Sequence, residues 1–387
     1  MPKTQQWNLT FERQLPWKTA LRVSYSGNRG IGLLRFSQFN LPIHDPVNGV
    51  TVANHPNNAP GILYTGLPVG DPRLVDVRGQ LIRPAADLQC AGTGLTGIAV
   101  NTLCPVAVPL GANEYSLRVP RTNERRPNGL LTTGTEVSNS SWSYYHGLQI
   151  ELQKKLSNGL TFQGSYTWSK SIDTTSEATG LGAGDSNQNG NLSRLSRGNS
   201  RFHTPHRFTL WGTYRIPFFE KRKDILGQLF GGWQATMVMK WVHGTPFTII
   251  NSAGTDLNLD SFAETRPVLI DPNLYGRTIG HRDNSISQLP RSGFRAATLA
   301  DFGCCILGRN NFFIDGVKNF DVAFQKSFPL FWEGHKLNLR ADLFNALNHV
   351  QFGFPNNDIA SATFGAITGT ATQYTPRRIQ VSLRYSF

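Results

Sequence analysis

Arg377-Arg-Ile-Gln-Val-Ser-Leu-Arg-Tyr-Ser-Phe387 closes the chain. Read two at a time, Ile379, Val381, Leu383, Tyr385 and Phe387 fall on one face. Arg378, Gln380, Ser382, Arg384 and Ser386 fall on the other. Period two is the mark of a β-strand, because successive side chains point to opposite sides of a pleated chain. One face is wholly apolar and the other wholly polar. Chain ends of soluble domains are usually frayed and polar. An apolar face carried to a final Phe therefore asks for apolar surroundings.

A strand of about ten residues tilted near 45° crosses the roughly 25 Å apolar band of an outer-membrane barrel. Such a strand faces lipid on one side and an aqueous lumen on the other, with aromatics at the interfaces. The terminal stretch resembles the C-terminal assembly signal of outer-membrane proteins, in which alternating apolar residues end on Phe. The resemblance implies that Ile379, Val381, Leu383, Tyr385 and Phe387 form the lipid face of a closing strand. It also implies the barrel-assembly machinery as a partner. A soluble, secreted glycan-binding β-protein is an alternative, and it needs a second sheet to cover these faces.

Composition points the same way. Of 387 residues only 16% are charged, against about 25% in ordinary soluble domains. Phe dominates the aromatics at 24 residues, and Gly reaches 38. Mean hydropathy is −0.29, and no apolar run is long enough for a spanning helix. A polar average with strand-length alternation is expected where half of each strand faces water. Net charge is +13, yet the Lys and Arg residues are spread along the chain without a basic run or an RNA-reading motif. Nucleic acid is therefore not an expected partner; lumen, loops and lipopolysaccharide phosphates absorb the charge.

Working back from the terminus, alternation marks His335 to Phe344, Asn319 to Lys326, Trp233 to Val242, His206 to Ile216, Leu160 to Ser169, Ser143 to Lys154, Lys18 to Ser26 and Gln5 to Arg13. With the last strand this makes about nine, joined alternately by short turns and long excursions. The long loops run at about 28–141, 170–204, 252–316 and 345–376. The expected fold class is all-β: a portion of an antiparallel transmembrane β-barrel, with short periplasmic turns and long extracellular loops. Bacterial barrels of this kind have even strand numbers, so an odd count implies strands outside this chain. Met1-Pro-Lys-Thr-Gln-Gln-Trp7 shows no charged-then-apolar signal segment, which fits the same expectation.

With the strands placed, Gly308-Arg-Asn-Asn-Phe-Phe-Ile-Asp-Gly-Val-Lys-Asn-Phe-Asp-Val-Ala-Phe-Gln-Lys326 resembles the end of TonB-dependent receptors, nearest to the Oar-like group. So do Leu337-Asn-Leu-Arg-Ala-Asp-Leu-Phe-Asn-Ala-Leu-Asn-His349 and Gln351-Phe-Gly353. Tyr145 to Leu152, Thr161 to Asp173 and Arg201 to Phe208 follow the same family pattern. The resemblance implies a barrel of about 22 strands around a plug, and energised uptake of a ligand through TonB. This chain matches the C-terminal part of the barrel across residues 1–387, without the plug or N-terminal strands. TonB is thus a partner only if a plug is encoded upstream, and the ligand is not specified.

Chemical motifs give little. His203-Thr-Pro-His206 sits at a strand entrance with Pro205 between the imidazoles, which suits loop structure better than a metal. Asp256, Asp260 and Glu264 lack the register of a calcium loop. There is no nucleophile elbow and no Walker-type loop. No catalytic, cofactor or metal residue is expected, and the chain reads as a non-enzyme. Arg340 and Asp342 share a lumen face and are expected to pair with neighbouring strands. Tyr166, Trp168, Trp233, Trp241 and Tyr385 read as an interfacial girdle rather than a sugar platform. Cys90 and Cys104 lie in one loop and can pair in an oxidising compartment; Cys304 and Cys305 read as incidental thiols. The expected role is ligand uptake at the outer membrane of a Gram-negative bacterium. A surface-exposed structural or adhesive barrel without active transport is the alternative.

Overall fold

The computed structural model describes residues 1–39, 62–68, 106–109, 114–119, 134–177, 196–220, 222, 224–252, 265–280, 285–297, 301, 305–330, 332–372 and 374–387. Nine long strands dominate: β1 (Lys3–Leu15), β2 (Thr19–Phe39), β3 (Gly134–Ser157), β4 (Leu160–Asp173), β5 (His206–Arg215), β6 (Gln234–Val242), β7 (Val317–Pro329), β8 (Lys336–Phe344) and β9 (Arg378–Ser386). Each pairs antiparallel with the next, so the sheet is a sequential meander. The two-residue strand Gly198–Asn199 adds to β4. β1 and β9 are the sheet's two edges, and the sheet does not close on itself. Among the described residues no helix is long and apolar enough to cross a membrane.

Register fixes the faces. One cross-strand row reads Phe11, Val23, Ile150, Tyr166, Phe208 and Trp241. A row on the opposite face reads Glu12, Arg22, Glu151, Ser165, Thr209, Lys240 and Asn319. Each side-chain period of two thus repeats across the whole sheet, and slipping any strand by one residue would exchange the faces. The β3–β4 hairpin turns at Asn158-Gly159, both with positive φ, the pair that matches a tight turn to strand twist.

Several strand ends lie two to four residues from the expectation, and three larger features differ from it. β2 continues to Phe39 and β3 begins at Gly134, although apolar alternation ends near Gly30 and resumes near Ser143. Backbone pairing continues there with irregularities around Ile31, Leu33 and Arg35, and Arg35 and Ser141 are buried in it. The connection after β5 carries a short helix, α1 (Ile225–Phe230), capped by Asp224, which accepts from the Gly227 N–H at 3.0 Å. α1 explains an anomaly on β7. Lys326 shares the apolar face with Phe324 and Phe328, yet it is buried. Its Nζ donates to the carbonyls of Gln228 and Gly231 at the end of α1 and lies 4.9 Å from the Phe328 ring centre.

The largest difference lies in the excursions expected over 252–316 and 345–376. Their described parts, 265–280, 285–297, 305–316 and 345–372, are not open loops. Together with Phe247 and Ile249 they bury Leu274, Ile279, Leu289, Phe294, Leu307, Phe312, Ile359 and Phe364 in one apolar cluster. Phe294 is the hinge of its aromatic packing, 5.8 Å from Phe312 and 5.5 Å from Phe364, both edge-on. Short strands frame this cap: Phe312–Ile314 pairs with Pro246–Phe247 and Thr278–Ile279, and Val268–Leu269 pairs with Phe294–Arg295. Where the cap leaves the sheet two segments of the chain cross at glycines. A Cβ on Gly244 would lie 1.8 Å from the Ile314 carbonyl oxygen, and one on Gly316 would lie 2.0 Å from that of Val242. Cys305, expected as an incidental thiol, is disulfide-bonded. Cys90, Cys104 and Cys304, and with them the expected Cys90–Cys104 pairing, lie outside the described residues.

Candidate functional site

The polar face of the sheet is built as a hydrogen-bonded wall. On its β1 side, Arg22 binds Glu12 at 2.5 Å and approaches Glu151 at 3.5 Å. Gln163 donates to Glu151 at 2.7 Å, Ser165 and Thr209 share a 2.6 Å bond, and Trp211 Nε1 donates to Gln163 at 3.3 Å. On its β9 side a second row runs Arg215, Gln234, Gln325, Arg340 and Ser382. These residues line a hollow of about 760 Å³ together with Arg384 and Asn338. Arg340 and Asp342 pair within β8 at 2.7 Å rather than across strands. The cause is period two: residues two apart share a face, and the guanidinium spans that step. Such a wall offers guanidinium, amide and hydroxyl groups to a hydrated polar or anionic solute.

At the loop end, the cap is locked to the sheet by polar groups. Arg309 is fully buried and pairs with the Asp173 carboxylate at the end of β4. It also donates to the carbonyls of Ser196 at 3.1 Å and Asp173 at 3.0 Å and to the Ser176 hydroxyl at 3.1 Å. Asn310, with φ of 56°, and Asn199 exchange side-chain-to-carbonyl bonds at 2.7 and 2.8 Å. Asn310 also exchanges bonds of 3.0 Å with the Thr248 hydroxyl. The asparagine and arginine of Gly308-Arg-Asn-Asn thus hold three loop segments together. In sequence the motif shows only as part of the family resemblance, and the polar residues clustered before Phe312-Phe313 are the local trace of its role.

The two histidines of the 203–206 turn part company. His203 is buried, accepts the Ser171 N–H at Nδ1 at 3.3 Å and meets Phe313 edge-on. Burial, reinforced by Lys170 and by His243 and His206, lowers its pKa to about 4. His206 instead bonds the Tyr166 hydroxyl at 2.8 Å on the apolar face. Among the described residues no cluster of His, Cys, Asp or Glu could hold a metal ion. Asp256, Asp260 and Glu264 lie outside the described residues.

The apolar face of β9 is exposed. Ile379, Val381, Leu383 and Phe387 are 65, 66, 64 and 92% accessible, and Tyr385 is 49% accessible beside His335. Trp168 and Trp241 stand out at the loop end, while Trp233 binds the Leu229 carbonyl at 3.0 Å near the turn end.

A sequential antiparallel sheet, apolar on one surface, polar on the other, with short turns at one end and long excursions at the other, defines a membrane-spanning β-barrel protein. The chain belongs to the outer membrane β-barrel domain family, which it matches over residues 1–380. It resides in the outer membrane of a Gram-negative bacterium. Comparison with curated proteins gives no match. Among solved structures it is similar to the outer membrane transporter YddB from Escherichia coli, at 10% identity and a TM-score of 0.41. It is also similar to FpvA of P. aeruginosa bound to heterologous pyoverdines, at 10% identity and a TM-score of 0.32. All of the chain is covered in both, but only 33 and 31% of those proteins, so it spans about a third of their length.

Proposed function

We propose that the chain forms the membrane-embedded C-terminal part of a TonB-dependent receptor barrel of the Oar-like type, serving ligand uptake across the outer membrane. The observation carrying this reading is the sheet itself: a meander of nine strands whose two edges, β1 and β9, are unpaired. Unpaired edges have no place in a membrane, where every backbone group needs a partner. Further strands of a larger barrel supply them. In that barrel Ile379, Val381, Leu383, Tyr385 and Phe387 face lipid and form the signal read by the assembly machinery. The short turns lie in the periplasm, the folded cap lies outside, and the polar wall lines the lumen. Lipid and lipopolysaccharide surround the barrel, and TonB acts through an upstream plug.

The test compares the spent medium of a producing strain, a deletion strain, and a producing strain lacking TonB function. Depletion of a solute that requires both the gene and TonB supports the reading. A deletion that alters surface attachment but no solute overturns it in favour of a structural or adhesive barrel.

A further inference from the structure

On the loop side of the apolar band, the outward surface of the sheet changes character. Outward residues of β4 run Phe162, Tyr166 and Trp168, then Lys170 and Ile172. Phe208 stands opposite Tyr166 on one side and Trp241 on the other. These three, with Met239, His206 and His243, line an apolar cleft of about 510 Å³. The His243 ring meets Phe313 edge-on at 4.9 Å. Phe313 in turn walls a second hollow of about 390 Å³, whose rim carries Lys170 and Arg197. Lys170 lies four residues beyond Tyr166 on the same face, roughly 13 Å along the strand.

The two cations are held ready. Lys170 Nζ donates to Asn199 Oδ1 at 2.7 Å, and Asn199 is itself fixed to Asn310. Both Lys170 and Arg197 are exposed. Among the described residues neither has a carboxylate partner. Arg29, also outward and two strands away, lies over the Tyr144 ring at 5.2 Å. Cations above an aromatic belt, continuous with an apolar cleft, match an amphiphile with an anionic head and a long acyl chain. Guanidinium and ammonium groups bind phosphate through charge-assisted hydrogen bonds.

We propose that this surface is a specific glycolipid site. A phosphate of a lipid A headgroup sits between Lys170 and Arg197, and one acyl chain lies in the Tyr166–Phe208–Trp241 cleft. The occupant follows from position: with the long loops outside, this level of the sheet meets the outer leaflet, whose anionic amphiphile is lipopolysaccharide. The proposal rests on that orientation and is independent of uptake.

Native mass spectrometry of the protein extracted from outer membranes in mild detergent tests it. The wild type retains a lipid A-containing adduct. Lys170→Ala with Arg197→Ala reduces the adduct at least tenfold, and Arg197→Lys keeps it. Added lipid A stripped of phosphate binds at least tenfold more weakly than the phosphorylated form. An undiminished adduct in the double variant, or equal binding of phosphate-free lipid A or of phosphatidylglycerol, overturns the site. Heat-dependent gel mobility reports folding; if the double variant does not fold, Arg197→Gln on the exposed loop carries the same comparison. Labelling of Arg197→Cys on intact cells by a membrane-impermeant maleimide tests the orientation separately, and a buried or periplasmic position would remove the proposal's basis.

Discussion

Replacing Arg309 by Met tests whether the loop cap is a folded unit clamped to the barrel end. Arg309 has no exposed side-chain surface, and the Asp173 side chain is 5% exposed. Removing the guanidinium takes the cation from a buried carboxylate and one donor each from the carbonyls of Ser196 and Asp173. Breaking one side of a buried ion pair costs about 3–5 kcal/mol, the lower end being the safer figure where water can reach a relaxed cap. At about 1.4 kcal/mol per factor of ten, opening of the cap should rise by roughly 10² to 4 × 10³-fold. Nothing in the variant touches the strand ladder from β5 to β9, so the effect should be local. Amide hydrogen exchange reads this directly where reclosing outpaces exchange, because the rate then tracks the open population. The amides of Phe313 and Ile314, bonded to the Arg277 and Thr245 carbonyls, should exchange faster by that factor, while β8 and β9 amides stay unchanged. Asp173→Leu combined with Arg309→Met should recover most of the loss, since replacing both partners by apolar groups is often near neutral. A change of less than about fivefold in the single variant, or equal acceleration throughout the sheet, would refute the clamp.

Two further predictions address the faces and the pH response. Leu383→Arg should block membrane assembly, because a cation on the lipid face costs about 2–4 kcal/mol near mid-bilayer. Gln380→Arg on the other face, opposite Asp342, should assemble normally; heat-dependent gel mobility of the membrane fraction scores both, and equal behaviour would reverse the face assignment. Ser382→Arg is a poorer control than Gln380→Arg, since it would stand opposite Arg340 and suffer like-charge repulsion of about 0.2–1 kcal/mol. His203 should make the cap acid-sensitive: with its pKa lowered from 6.5 to about 4, the folded state favours the neutral ring. That stability is full above pH 6.5 and falls as pH drops toward 4, by at most about 3 kcal/mol. Protease cleavage of the cap should therefore quicken between pH 7 and 4.5 in the wild type and less so in His203→Gln; identical pH profiles would remove His203 as the cause.

Alternation by itself determined most of the membrane sheet. The strands from Leu160 and His206 onward begin and end close to where polarity alternates, because one face meets lipid and the other meets water at each residue. The even spacing of turns and excursions likewise made the sequential meander legible. Local pattern said little where that constraint lapses. β2 runs on to Phe39 and β3 starts back at Gly134, where the ladder continues without sustained alternation to announce it. Lys326 sits on the apolar face because α1, distant in sequence, offers its carbonyls.

The cap was the least visible part. Phe247, Leu274, Phe294, Phe312 and Phe364 come from separated short segments with no shared period, so no window of sequence displays their common core. Arg309 and Asp173 are likewise 136 positions apart, and only folding reveals them as a pair. The glycolipid surface combines both cases. Its aromatic rows follow from strand period, but the placement of Arg197 and Phe313 beside them depends on how the cap docks. Periodicity encodes an environment that repeats along one strand; contacts between distant segments depend on the shape the whole chain takes, and that shape was decided by tertiary packing alone.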